Sequence, residues 1–315
     1  MRKFSRILVI RSGAIGDFIV TLSVIHLLRQ TYEKCWLAVV AKNRVRGLVK
    51  GVVDEFVDID GRILVPFFRE NVDRSCEEYR YMNKFDLVVS YLGATGQVSK
   101  NLLSLTKPRV INADALPPEA YDHHITEFLL EPVSEIVDVS CAPLPSVFVG
   151  QEEKARAETF LSASGMKPSA PVIAVHPGSG SRPKISPARS FCQAVNWIQE
   201  RFPTVSVLAI EGEADEESVT AFEQGLSTRC VRVRKEDLRE VAAVLSQSSL
   251  FIGNDSGIAH LAAAVGVPSI VVFRAGNPVV WAPRGKKVWV ANEDSFLQTV
   301  EQAAGKVLGA RREKL

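Results

Sequence analysis

The sequence predicts an α/β protein built from two doubly wound parallel sheets. The chain has 315 residues, β-branched runs alternate with helical periodicity, and each half opens with a strand, a Gly/Ser-rich loop and a helix. A chain of this length suits two domains of about 150 residues each. We expect domains at 1–150 and 151–315 that face a central cleft, with ligands at the carboxyl ends of the strands.

The first half begins with a short apolar run at 6–10, which is typical of a buried parallel strand. A Gly/Ser loop follows, and apolar residues at helical spacing then predict a helix over 18–30. Segment 62–83 has no clear period, so irregular structure with one helix is expected there. Further strands of the same sheet are expected at 36–40, 85–90 and 108–111.

The second half follows a turn-rich connector at 142–146 and repeats the same architecture. A charged helix is expected at 152–164, and the strand pattern restarts at Pro171. Strands are expected at 172–175, 205–210, 249–253 and 269–273. Helices are expected at 187–201, from about residue 215, and at 255–265.

Composition excludes several classes of protein. Apolar residues make up 46% and charged residues 23% of the chain, which argues against disorder and against a fibre. The net charge of +2 provides no overall field for a nucleic-acid partner. The five cysteines form no C-x-x-C pair, which favours a reducing compartment. Without a long apolar run or a clear signal peptide, we expect a cytoplasmic protein.

The loop after the first predicted strand contains Gly13, Gly16 and Asp17. Its G-x-x-G spacing does not match the dinucleotide-binding G-x-G-x-x-G pattern, which disfavours an NAD enzyme. Asp17 has two interpretations. It is either a cap or dipole partner of the following helix, or a catalytic carboxylate at the carboxyl end of a strand.

A second candidate segment runs from Asp255 through Ser256 and Gly257 to His260. A strand ends here and a helix of small residues begins, so unpaired N–H groups and the helix dipole form an anion site. Asp255 as a plain N-cap and His260 as a core histidine are the alternatives. The combination of Asp, Ser, Gly and His in so short a stretch favours ligand binding.

A third segment, the loop from His176 to Lys184, combines hydroxyls, glycines and two cations. Glycine lets backbone N–H groups approach an anion, while Arg182 and Lys184 add charge. The alternative is an ordinary surface loop. Asp122, His123 and His124 lack a third partner at metal-ligand spacing, so no metal site is predicted.

Together these segments resemble glycosyltransferase family 9, the ADP-heptose:lipopolysaccharide heptosyltransferases. The family has a G-A-I/M-G-D loop, an H-P-G loop with a downstream lysine, and a D-[ST]-G-x-x-H-x-A-A helix followed by G-x-P. All three occur here in that order, within about residues 6–285. The resemblance implies a GT-B fold of two Rossmann-like domains, the first binding the acceptor and the second the nucleotide-sugar. It also implies inverting, metal-independent heptose transfer from ADP-heptose, with no cofactor.

The resemblance also implies roles for individual residues. Asp17 corresponds to the general base, Gly13 and Gly16 to the acceptor-side loop, and Glu213 to an acid that binds ribose. Arg274 stands where the family usually has glycine; it is expected either to pair with a carboxylate or, the interpretation we favour, to reach the donor diphosphate. Donor contacts are expected from Ser179, Lys184, Glu213, Asp255, Ser256, Gly257, His260 and Arg274.

Two other functions stay open at this point. A nucleotide-sugar epimerase or hydrolase of GT-B-like fold would need further acid/base groups, and a non-catalytic nucleotide-sugar-binding protein would not need Asp17. The transferase interpretation predicts a lipid-linked saccharide, the lipopolysaccharide inner core, as acceptor. It also predicts that the basic stretch 42–50 docks the protein on the inner face of the inner membrane.

Overall fold

The computed structural model describes residues 3–167, 170–234 and 237–312. The chain forms two compact units, Met1–Pro145 and Ser146–Leu315. The division lies within the expected turn-rich connector, at Pro145 rather than at residue 150. Each unit contains one sheet whose paired strands are all parallel, so the predicted fold class is confirmed.

The sheet of the first unit has the order β3-β2-β1-β4-β5. Because the chain leaves β1 in both directions, the topological switch point lies between β1 and β4. Its strands are β1 (Arg6–Arg11), β2 (Trp36–Ala41), β3 (Glu55–Asp58), β4 (Leu87–Tyr91) and β5 (Arg109–Asn112). Its helices are α1 (Ile15–Thr31), α2 (Glu77–Met82), α3 (Gln97–Leu103) and α4 (Ile125–Leu130).

The sheet of the second unit has the order β11-β10-β9-β6-β7-β8, which places the switch point between β6 and β9. Its strands are β6 (Val172–His176), β7 (Ser206–Glu211), β8 (Val231–Arg234), β9 (Leu250–Asn254), β10 (Ser269–Val272) and β11 (Val288–Ala291). Its helices are α5 (Gln151–Ala163), α6 (Ala188–Arg201), α7 (Glu216–Gly225), α8 (Leu238–Ser246), α9 (Gly257–Ala264), α10 (Pro278–Trp281) and α11 (Phe296–Arg312).

The hydrophobic core explains why the central strands form where the apolar runs predict them. In β1, Ile7 to Ile10 are all fully buried, as expected for a strand covered on both faces. In the second unit, α6 directs Phe191, Val195 and Ile198 into the core at helical spacing. The ring of Phe191 meets that of Phe296 edge-on, at 5.3 Å between centroids, and so packs α11 beside α6.

Helices α1 and α9 begin two or three residues from their predicted starts, and both differences bear on candidate residues. Helix α1 begins at Ile15 rather than at residue 18, so Asp17 lies inside its first turn. Helix α9 begins at Gly257 rather than at Asp255, and Ser256 is its N-cap, with the side chain accepting a hydrogen bond from Ala259 N. Asp255 is therefore not the cap of this helix.

Within the described residues, the helices include none that is both long and apolar enough to cross a membrane.

Candidate functional sites

The first candidate site lies at the switch point of the first unit, where β1 leads into α1. Asp17 Oδ2 accepts a hydrogen bond from Ala14 N at 2.7 Å, which satisfies one of the unpaired N–H groups at the helix start. The side chain of Asp17 is still 24% exposed. The carboxylate thus caps the helix and also faces solvent, so the two interpretations of Asp17 are compatible.

Gly13 lies directly against this carboxylate. Its φ of +120° is a backbone conformation that L side chains rarely adopt. A Cβ on Gly13 would lie 2.6 Å from Asp17 Oδ2, so a larger residue would displace the carboxylate. Gly16 lies in the first turn of α1. The glycine in the first position of the motif is therefore needed to let the loop fold over Asp17.

Arg11, which sequence reasoning did not single out, lies beneath Asp17. It is the last residue of β1, and its side chain is only 1% exposed. Nη2 lies 3.8 Å from Asp17 Oδ1, while Nε and Nη1 donate to the carbonyls of Asp17 and Ala115. Burial lowers the pKa of Arg11 from its ordinary value, and the charge of Asp17 opposes that effect. A fixed buried cation thus faces the Asp17 carboxylate from the strand side.

The second candidate site lies at the switch point of the second unit, where the loop after β6 meets the start of α9. Lys184 Nζ lies 2.6 Å from Asp255 Oδ2; the lysine side chain is 35% exposed and the aspartate side chain only 4%. Burial raises the pKa of Asp255, and the adjacent Lys184 ammonium lowers it in part. Ser179 is buried and donates from Oγ to Asp255 O at 2.9 Å.

This corner brings together most of the expected donor residues. Ser179, Lys184 and Asp255 contact one another, and Ser256 and Gly257 follow directly at the start of α9. The fourth residue of the helix, His260, is buried. The half-exposed lysine and the N-terminus of an eight-residue helix place positive charge at the same point. Chemically, the corner is suited to a phosphate group.

Three residues that sequence reasoning left without a role shape the loop from Pro177 to Ser186. The Asp215 carboxylate lies against Gly178, where any Cβ would overlap it, which accounts for the glycine of the H-P-G motif. Asp215 Oδ2 also lies 3.7 Å from Nε2 of the buried His176, and burial lowers the pKa of that imidazole. The third residue, Asn254, bonds to both ends of the loop.

Arg274 follows β10, and its contacts match the carboxylate alternative. Nη1 donates to Ile185 O at 2.7 Å, and Nε lies 3.6 Å from Oε1 of the exposed Glu293. The side chain is 46% exposed. Together with Arg182 it lines a cavity of about 380 Å³. A phosphate contact by Arg274 therefore remains a prediction, supported only by its place in the cavity wall.

The acidic residues from the end of β7 to the first turn of α7 lie in different environments. Glu213 is exposed in the turn, whereas Glu211 is fully buried and pairs with Arg232 at 3.1 Å. Among the described residues, Glu217 and not Glu213 supplies the carboxylate that lines the Arg274 cavity.

Within the described residues there is also no group of three or more His, Cys, Asp or Glu side chains that could hold a metal ion.

The sequence of this chain matches one family model. Residues 110–306 match glycosyltransferase family 9 (heptosyltransferase). The chain belongs to this family. It is therefore a glycosyltransferase of the heptosyltransferase family, and the resemblance carried by the three motifs is confirmed.

Solved structures of family 9 share the fold. A family 9 glycosyltransferase from Veillonella parvula DSM 2008 matches with a TM-score of 0.80 at 18% identity, over 100% of this chain and 99% of that one. The E. coli ADP-heptose lps heptosyltransferase II matches at 0.72 and 17%, over 98% and 100%. E. coli heptosyltransferase WaaC with ADP matches at 0.64 and 16%, over 95% and 99%. No curated protein matches the sequence significantly.

Proposed function

We propose that this family 9 enzyme transfers a heptose from ADP-heptose to a lipopolysaccharide inner-core acceptor, with inversion and without a metal. The observation that carries the proposal is the pairing of Lys184 with Asp255 at the start of α9, which provides a ready site for the donor diphosphate. Two E. coli enzymes of the same fold support the donor assignment: one is an ADP-heptose heptosyltransferase and the other was solved with ADP.

Asp17 acts as the general base in this proposal. A sugar hydroxyl is a poor nucleophile near neutral pH, so a carboxylate within hydrogen-bond reach must take its proton as the new bond forms. The acceptor oxygen bonds to the anomeric carbon of the heptose, the bond from that carbon to the phosphate oxygen breaks, and ADP leaves with the electron pair. A single displacement of this kind inverts the anomeric carbon. The partly exposed carboxylate of Asp17 supports the role.

The donor corner, which consists of Ser179, Lys184, Asp255 and the start of α9, stabilises the leaving group. ADP gains negative charge as the glycosidic bond breaks, and preorganised cations and N–H groups stabilise such charge best where it develops. Lys184 supplies the cation, and the first N–H groups of α9, beyond Ser256, supply the donors. Ser179 Oγ donates to the Asp255 carbonyl, so a hydrogen bond joins the lysine loop to the start of α9. These groups perform the electrostatic work that a metal does in other transferases.

The acceptor and membrane parts of the proposal rest on charge. Lipid-linked inner-core saccharides lie at an anionic membrane surface, and the turn Asn43–Val49 and its neighbours carry the exposed cations Arg44, Arg46 and Lys50. The Arg46 guanidinium lies 5.2 Å from the centre of the Phe56 ring, which fixes one of these cations in place. We propose that this stretch makes a peripheral contact with the membrane.

The decisive experiment measures ADP release from ADP-heptose with and without a lipid-linked inner-core acceptor. Acceptor-dependent release, with an inverted anomeric carbon in the NMR spectrum of the product, is the expected result. UDP-sugars serve as matched controls and should give no release. Formation of ADP and free heptose without acceptor would indicate a hydrolase. An altered sugar that is still joined to ADP would indicate an epimerase. Binding of the nucleotide-sugar without turnover would indicate a nucleotide-sugar-binding protein.

A further inference from the structure

Asn254 lies directly before Asp255 of the donor corner and does not contact solvent. It is the last residue of β9, which pairs with β6 across the switch point, and its side chain is completely buried. A buried carboxamide can donate two hydrogen bonds and accept two. Leaving those groups unpaired would destabilise the folded protein, so their partners indicate what the residue does.

All three hydrogen bonds of the Asn254 side chain go to one loop. Nδ2 donates to Pro177 O at 2.8 Å and to Gly178 O at 3.3 Å. Oδ1 accepts from Ser186 N at 3.0 Å. One amide therefore bonds to both ends of the loop from Pro177 to Ser186, and Lys184 lies inside the span that it closes.

The next residue along the chain completes the arrangement. Asp255 pairs through its side chain with the Lys184 ammonium and accepts Ser179 Oγ through its carbonyl. Asn254 thus fixes the backbone of the loop, while Asp255 fixes the charged head that the loop carries. Both residues lie at the end of the same strand, β9, so they fix the position of the Lys184 ammonium relative to the start of α9.

We propose that Asn254 is the positioning residue that sets where the Lys184 ammonium stands for the donor diphosphate. The inference rests on the proposed ADP-sugar donor and adds a residue that works only through Lys184. A displacement of about 1 Å at a charged group is enough to weaken transition-state stabilisation substantially. Asn254 must be an amide, because a carboxylate at this position would face the carbonyl oxygens of Pro177 and Gly178 and repel them.

The test is a thermodynamic cycle on ADP affinity with Asn254→Ala, Lys184→Met and the double variant, measured by calorimetry. We expect Asn254→Ala to raise the Kd of ADP about tenfold. In the Lys184→Met background the same change should raise it by no more than about twofold. Equal tenfold losses in both backgrounds, or an unchanged Kd in a folded Asn254→Ala protein, would overturn the inference.

Asn101 offers a matched control for the structural effect of losing a buried amide. Its side chain is also buried, and Nδ2 donates to the carbonyls of Phe67 and Arg69 at 2.9 and 2.8 Å. Asn101→Ala should lower the melting temperature to a similar extent and leave the Kd of ADP within about twofold. Should Asn254→Ala fail to fold, Asn254→Ser takes its place in the same cycle.

A second readout reports on the loop itself. Trypsin cleaves after Lys184, at the bond to Ile185. The hydrogen bond from Ser186 N to Asn254 Oδ1 should protect that bond by holding the loop in place. Mass spectrometry should show faster cleavage there in Asn254→Ala and no change in Asn101→Ala; equal rates would contradict the inference. A wild-type protein that binds no ADP would overturn the proposed donor and this inference together. ADP binding that is insensitive to Asn254 would overturn the inference alone.

Discussion

At the scale of single residues, Asp17 combines a structural bond with a proposed chemical role. Its Oδ2 accepts from Ala14 N, and an asparagine could keep that bond through its amide oxygen. Asp17→Asn keeps that bond but removes the charge that faces the buried Arg11 guanidinium, so it should lower the melting temperature modestly. It should lower transfer by about 10²–10⁴-fold, the usual contribution of a general base. The measurement is the initial rate of ADP release with saturating acceptor.

The affinity for ADP is the control for that variant, because Asp17 lies in the first unit and the donor corner in the second. Calorimetry should give equal Kd values for the wild type and Asp17→Asn. A variant that kept more than roughly a third of the wild-type rate would restrict Asp17 to its capping role, since loss of a general base costs far more than that.

Arg274 stands where the family usually has glycine, and its side chain combines protein contacts with exposure to the cavity. Its guanidinium is bound to Ile185 O and Glu293 but stays 46% exposed in the cavity wall. Arg274→Gly should weaken ADP binding by about 1.5–3 kcal/mol, the range for a hydrogen bond to a charged group. Adenosine, which has no phosphates, should bind the variant as it binds the wild type. Equal losses for both ligands would indicate local unfolding, and no loss for either would leave Arg274 a structural residue.

The stability that the Lys184–Asp255 pair gives the folded protein depends on pH, because the Asp255 carboxyl group titrates. Burial raises the pKa of Asp255, so the folded state holds the proton more tightly than the unfolded state does. Stability from this group is complete below about pH 4 and falls as the pH rises. Lys184→Met removes the cation that stabilises the ionised Asp255 carboxylate. The loss of unfolding free energy relative to the wild type should therefore grow from pH 5 to pH 8, to about 1–3 kcal/mol.

Thermal melts at both pH values measure that deficit. Lys184→Met made in the Asp255→Asn background serves as control, because without the carboxyl group the stability difference between the double variant and Asp255→Asn alone should be the same at pH 5 and pH 8. A Lys184→Met deficit that did not change with pH would show that the lysine does not stabilise the Asp255 carboxylate.

Sequence reasoning could identify the charged and hydroxyl residues of the site but not the groups that hold them. Lys184, Asp255 and Ser256 follow strand ends in recognisable motifs, and glycine-rich loops at such places are typical of anion sites. The partners of Asn254 and Arg11 could not be predicted, because Asn254 bonds to carbonyls about 76 residues away and Arg11 to one 104 residues away. A buried polar residue reveals its role only when the chain has folded around it.

At the scale of elements, burial decides which strands the sequence could predict. The central strands β1, β4, β6 and β9 are fully buried or nearly so and appear as continuous apolar runs. Strands β3, β8 and β11 were missed; each has four residues and lies at a sheet edge. A short, partly exposed strand gives only a short apolar signal, although the edge strand β5, equally short, was predicted from its sequence.

Helices α5 and α8 are joined by a buried ion pair that makes a prediction of its own. Arg239 Nη2 and Nε lie 2.7 and 2.9 Å from the Glu153 carboxylate, and both side chains are less than 10% exposed. Glu153 Oε2 also accepts from Gly150 N at the start of α5. Arg239→Met leaves the carboxylate buried without its cation and should destabilise the protein by about 3–5 kcal/mol.

Chemical denaturation measures that loss, and Arg239→Met combined with Glu153→Gln is the matched control. Removing both charges should recover most of the stability, because the desolvation cost of the lone carboxylate disappears with it. The cavity that the pair lines includes none of Ser179, Lys184 and Asp255, so the Kd of ADP for the folded single variant should equal that of the wild type. A single variant as stable as the wild type would show that the pair contributes nothing.

At the scale of the whole molecule, the nearly balanced charge makes the distribution of cations more informative than their number. Lys and Arg number 38 against 36 acidic residues, for a net charge of +2. A chain with so little net charge has no general attraction to an anionic surface, so any membrane contact must come from a local cluster. The exposed cations around the turn Asn43–Val49 form such a cluster in the first unit, and Lys286 and Lys287 form a smaller one in the second.

These two clusters allow a matched test of membrane docking. Arg44 lies within the turn Asn43–Val49, Lys50 follows it directly, and both are exposed. Each cation near an anionic bilayer is worth about 1 kcal/mol. Changing both to glutamine should lower partitioning onto vesicles containing anionic lipid by about 30-fold at low salt. Changing Lys286 and Lys287 to glutamine removes the same net charge and should have little effect, because the proposed contact is local to the first unit. Sedimentation with vesicles measures both variants; equal losses would mean a nonspecific attraction, and wild-type binding that did not fall with salt would contradict an electrostatic contact.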